Sequence, residues 1–180
     1  MPAVASKSSF AGARSGDRDG AEADTDRLRI PERMKSPARG AVRRCLIALA
    51  LALLLVGVVS GTVLRHIVQI VPIAVAWGVL ARRSWWGAYA ALPIFVFWTC
   101  IPVLIWLFLL GLSRFADGHY TPIEVGATVV MAAASGIGVV KCVQLGRPLR
   151  ATGRLSMFLL FAVMQFAAMW VSFLGPIANR

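Results

Sequence analysis

CLIALALALLLVGVVSGTVLRHIVQIVPIAVAWGVLA, residues 45–81, is 37 residues long and contains one strongly polar pair, Arg65-His66. As a single α-helix it would run roughly 55 Å, far beyond a hydrocarbon core of about 30 Å. It must therefore hold two crossings and a turn. The turn is placed between Ser60-Gly61-Thr62, a cluster of small residues, and Arg65-His66. The rival reading keeps one crossing and lays His66–Ala81 down as a re-entrant or interfacial element. Two crossings are preferred because backbone exposed to lipid must satisfy its own hydrogen bonds.

The same grammar extends in both directions. Apolar runs are separated by short basic joints: Arg82-Arg83, Arg114 to Tyr120, Lys141 to Arg154, and the terminal Asn179-Arg180. The spans predicted are about 45–62, 64–81, 86–113, 121–141 and 155–177. The fold class expected is an all-α integral membrane protein, a bundle of five transmembrane helices, or four on the rival reading. Composition agrees: the chain is 58% hydrophobic and 15% charged, against roughly 25% charged in an ordinary soluble domain. Residues 1–43, rich in Ala, Gly, Ser, Arg and Asp, cannot offset their ordering entropy by burial and are expected to form a disordered tail.

Net charge is +11, which in a soluble chain would point to nucleic acid. Here the basic residues sit at the ends of apolar runs, where lipid phosphates attract them. Membrane lipids, and other membrane subunits, are the expected partners, and nucleic acid is not. The expected contacts with lipid headgroups are Arg82, Arg83, Arg147, Arg150 and Arg154. With five spans, these residues and the N-terminus share one side, which the positive-inside rule makes cytoplasmic. The C-terminus then lies outside, in a cell membrane, the inner one in a bacterium. The run after Arg44 reads as a retained signal anchor, because its charged lead is too long for a signal peptide and no small-residue cleavage site follows.

Within the spans the notable residues are small or kinked rather than reactive. Gly57 and Gly61 form a G-x-x-x-G pair, and Ala132/Gly136 and Ala134/Gly138 form two further small-residue pairs that would allow close helix contact. Pro93 and Pro102 should bend the third span. Gln69 and Gln165 are the deepest amides and are expected to join helices by hydrogen bonds. Cys45, Cys100 and Cys142 show no pairing pattern and read as free thiols.

The remaining chemistry gathers on the outer side. Asp117 and Glu124 are the only carboxylates after residue 32, His119 lies between them, and His66 falls near the same face. One imidazole pair with carboxylates suits a metal, a proton relay or the carbonyl oxygens of a quinone. A plainer account serves the same residues: Thr121-Pro122-Ile123-Glu124 is a capping box, Asp117-Gly118 a turn, and His119-Tyr120 a headgroup-level pair. His66, His119, Asp117 and Glu124 are therefore the candidate cofactor-binding residues, while no catalytic residue, metal or cofactor is assigned. The function expected first is that of a non-enzymatic accessory or assembly subunit. A channel or carrier for a neutral or lipidic solute comes second, and a redox, quinone or metal-associated protein third.

Overall fold

A computed structural model describes residues 35–112, 121–145 and 151–175, all of them helical or in tight joints between helices. Five helices follow one another: α1 (Lys35–Val59), α2 (Val63–Arg82), α3 (Ser84–Leu109), α4 (Pro122–Leu145) and α5 (Ala151–Ser172). Each is long and apolar enough to span a membrane, and no strand occurs among the described residues. This is a multi-pass membrane protein with five helices of spanning length, and residues 66–81, which the four-span reading lays in the interface, lie within one of them.

The joint inside residues 45–81 shows why. Val59 ends α1, and Gly61 takes φ +69°, a conformation that costs a side-chain-bearing residue about 1–2 kcal/mol. Thr62 N–H donates to the Gly57 carbonyl at 2.8 Å and Gly61 N–H to that of Val58 at 3.3 Å, the Schellman arrangement that satisfies terminal carbonyls. A second such cap closes α3, with Gly111 at φ +74° and Leu112 N–H on the Leu107 carbonyl. Gly61→Ala is expected to lower stability by about 1 kcal/mol, while Gly40→Ala, in a helix with nothing near its Cβ, should raise it by about 0.5–1 kcal/mol. Thermal unfolding of the two variants in detergent checks the contrast.

Gly61 is thus a turn residue, and the expected pairing with Gly57 does not form. Gly57 instead seats the His66 side chain, whose Cβ lies 3.0 Å from where a Gly57 Cβ would be. Of the two small-residue pairs in α4, only Ala134/Gly138 is buried. The Phe95 ring lies against Gly138, 2.6 Å from a built Cβ, while Gly136 has open space. α3 is the central helix, packing on α2, α4 and α5, and α2 also meets α5. It runs unbroken through the buried Pro93 and Pro102.

The boundary of the expected tail needs one correction. The sequence places residues 35–43 in it, yet α1 begins at Lys35, and Val42 is completely buried. Proline is tolerated in a first helical turn, where Pro37 sits, and Ala and Arg favour a helix. The segment is also anchored: Arg39 Nη2 donates to the Ala81 carbonyl at 2.6 Å, and the Arg43 guanidinium lies 5.0 Å from the Trp77 ring centroid. The rest of the tail lies outside the described residues.

Candidate functional site

Successive helices run antiparallel, so the starts of α2 and α4 and the ends of α1, α3 and α5 meet at one end of the bundle. Between them opens a cavity of about 270 Å³ reached by side chains of all five helices. Its walls divide by chemistry. Leu53, Trp98, Ile101, Met131 and Met169 line it with apolar surface, while Thr62, Arg65, His66, Gln69 and Glu124 supply polar groups.

Hydrogen bonds fix what each polar group has left to offer. Ser60 Oγ–H donates to the Val56 carbonyl at 2.7 Å, so the 2.6 Å contact with Thr62 uses the threonine hydroxyl as donor. His66 Nδ1 lies 3.0 Å from the Thr62 carbonyl and 3.2 Å from Thr62 Oγ1. A carbonyl only accepts, so Nδ1 carries a proton, and in the neutral ring Nε2 is left as an acceptor. The Gln69 amide donates both to Ser172 Oγ at 2.9 Å and to Met169 Sδ at 3.2 Å. Its carbonyl oxygen remains an acceptor. This α2–α5 bridge is the helix-joining role expected of Gln69.

On α4 the capping box forms as the sequence reads. Thr121 N–H and Oγ1–H donate to Glu124 Oε2 at 2.8 and 2.9 Å, and Glu124 N–H donates to Thr121 Oγ1 at 3.3 Å. The cap uses one carboxylate oxygen and leaves the other. One turn on, Trp106 Nε1–H donates to Thr128 Oγ1 at 2.8 Å, tying α3 to α4 beside the cavity.

The donors on the cavity wall are fewer. Arg65 stacks its guanidinium 3.8 Å above the Phe173 ring, and its Nε has no hydrogen-bond partner. Trp98 is 3% exposed, and its Nε1–H is likewise unpartnered. An unsatisfied buried donor costs about 1–3 kcal/mol, so both mark places where an acceptor would be welcome. Gln165, expected to join helices like Gln69, is completely buried with neither amide atom bonded.

Of the sequence-derived candidates, His66 and Glu124 are brought to this one cavity. Asp117 and His119 lie outside the described residues, so their expected meeting with His66 does too. Among the described residues no three His, Cys, Asp or Glu side chains gather as a metal set would. Arg82, Arg83 and Arg154 are exposed at the opposite end of the bundle, and Arg147 and Arg150 lie outside the described residues. Cys45, Cys100 and Cys142 are free thiols.

Sequence reading did not anticipate Trp98, Met131 and Met169, because they reach the cavity from three different helices. The polar half did leave a trace: Thr62, His66 and Gln69 follow at intervals of four and three, one face of a helix. Comparisons with family models, curated proteins and solved structures find no match for this chain.

Proposed function

We propose that this protein holds a small lipidic amphiphile with a neutral or zwitterionic head in the five-helix cavity, as a membrane carrier or binding protein. The observation that carries the reading is the division of that cavity into an apolar interior and a polar rim. Arg65 and Glu124 balance in charge, and His66 Nε2 and Gln69 Oε1 add neutral acceptors, so the rim favours no net ionic charge. At about 270 Å³ the cavity is below the roughly 300–1,000 Å³ of drug-sized sites. It takes a head and the first carbons of a chain, with the remainder in lipid.

Orientation is part of the proposal. Arg39, Arg43, Arg44, Arg82, Arg83, Lys141 and Arg154 cluster at one end, and Arg65 is the only Lys or Arg at the other among the described residues. The positive-inside rule puts the first end, and the N-terminus, in the cytoplasm. The cavity then opens toward the exterior, as does the C-terminus.

Native mass spectrometry of protein purified in mild detergent tests the binding. Wild type is expected to retain a small amphiphile that Met131→Trp, which intrudes into the cavity, displaces without loss of thermal stability. An identical set of bound molecules in both proteins overturns the reading.

A second reading, as an accessory subunit, is supported by α5. Only 17% of its most apolar window is buried, and Leu159, Val163, Phe166 and Trp170 are exposed along it. A partner helix would pack there. Cross-linking from Val163 that captures nothing but lipid in native membranes ends this alternative.

A further inference from the structure

The basic end of the bundle holds a second feature. A groove of about 230 Å³ runs between α1 and α2, walled by Leu46, Ile47, Ala50, Ile70, Ala74 and Trp77. Its walls are entirely apolar apart from the Trp77 ring nitrogen. Ile47 and Ala50 follow Arg43 by four and seven residues, so the arginine stands on the same face of α1, at the groove's end. There it lies over Trp77, 5.0 Å from the ring centroid.

The surroundings of Arg43 are strongly positive. Arg39, one turn earlier, is tied to the Ala81 carbonyl at 2.6 Å, which brings the α1 arginines beside Arg82 and Arg83 at the end of α2. Arg39 Nε has no partner within the described residues. No Asp or Glu occurs at this end among the described residues. Like charges in proximity repel, and among the described residues no carboxylate at this end offsets them.

From this pairing of an apolar groove with a basic end that holds no carboxylate among the described residues, we propose that the α1–α2 groove binds one anionic phospholipid. An acyl chain lies along Ile47, Ala50, Ile70 and Ala74, and the phosphate rests on Arg43 at the level of Trp77. A second copy of the chain fits less well, because its own arginines would face these. The charge chooses the lipid class, and the groove fixes its place.

The site lies at the opposite end from His66 and Glu124, so its test is independent of the amphiphile cavity. Full-length protein is reconstituted in phosphatidylcholine vesicles containing a minor fraction of brominated phosphatidylglycerol or, separately, brominated phosphatidylcholine. Quenching of Trp77 is obtained as the difference between wild type and Trp77→Phe. Local enrichment of the anionic lipid is expected to be about fivefold, the factor equivalent to about 1 kcal/mol for a basic group at an anionic surface. Arg43→Gln should lower it severalfold, and Arg43→Lys should retain it. Thermal unfolding of each variant confirms that the bundle is intact.

Equal quenching by the two lipids in wild type overturns the proposal, as does a preference that Arg43→Gln leaves undiminished. If neither brominated lipid quenches Trp77, the groove is covered by protein and the proposal also fails.

Discussion

Gly87→Ala is expected to be the most damaging single-methyl change in the bundle. A Cβ at residue 87 would lie 2.2 Å from Leu80 Cα and 2.7 Å from Leu80 N. Both atoms are backbone, so no side chain can turn aside. Only Arg83 separates α2 from α3, and the two helices cannot part without pulling that joint open. Overpacking typically costs about 1–3 kcal/mol, and the upper figure applies where the helix itself must shift. For a chain of this size each kcal/mol moves Tm by roughly 2–4 °C. Gly78→Ala, on the same hairpin with open space at its Cβ, is the matched control and should be neutral or slightly stabilising. Coincident melting curves for the two variants in detergent would contradict the close approach of Leu80 to Gly87.

Phe95→Ala should remove about 3–5 kcal/mol, the range for truncating a fully buried aromatic ring. Phe95 is completely buried at the centre of α3, and its ring rests on Gly138 of α4. Lipid tails are as apolar as the ring, so the loss comes from packing rather than from exposure to water. Packing of this kind is specific to the pair. Gly138→Ala alone should destabilise, since its methyl would stand 2.6 Å from the ring, whereas Phe95→Leu vacates part of that space. A double-mutant cycle should therefore give a favourable coupling of about 0.5–3 kcal/mol. Additive effects would show that ring and glycine are independent.

These two contacts mark how far the sequence could be read. Spans were legible because an apolar run must match a bilayer in length, and Ser60-Gly61-Thr62 located the first turn for a steric reason that holds in any fold. The start of α1 was not legible. Lys35 to Arg44 looks like a solvated basic lead until Arg39 and Arg43 are seen holding Ala81 and Trp77. Small-residue spacing pointed correctly to Gly138 but equally to Gly57/Gly61 and Ala132/Gly136, because spacing shows that contact is possible and not which face is turned inward.

The candidate site was legible only where local rules govern it. Thr121 and Glu124 cap α4 through bonds within four residues, so the motif sufficed. His66 was recognisable as the odd polar residue in an apolar run. Its cavity was not, since Leu53, Trp98, Met131 and Met169 are ordinary apolar residues whose convergence depends on how five helices pack.

The unequal lengths of the joints set a mechanical limit on the cavity. An extended residue reaches at most about 3.6 Å, so the three residues between α1 and α2, and the single Arg83 between α2 and α3, bind those helices into a fixed frame. Twelve residues of chain separate α3 from α4. α4 is pinned to the frame at Gly138, toward its far end, and carries Glu124 at the near one. The rim thus has one wall held by short joints, which carries Thr62 and His66, and another made by the first turns of α4. Trp106 and Thr128 tie that wall to α3 beside the cavity, so one hydrogen bond and the packing of α3 on α4 fix the side of the rim that the short joints do not.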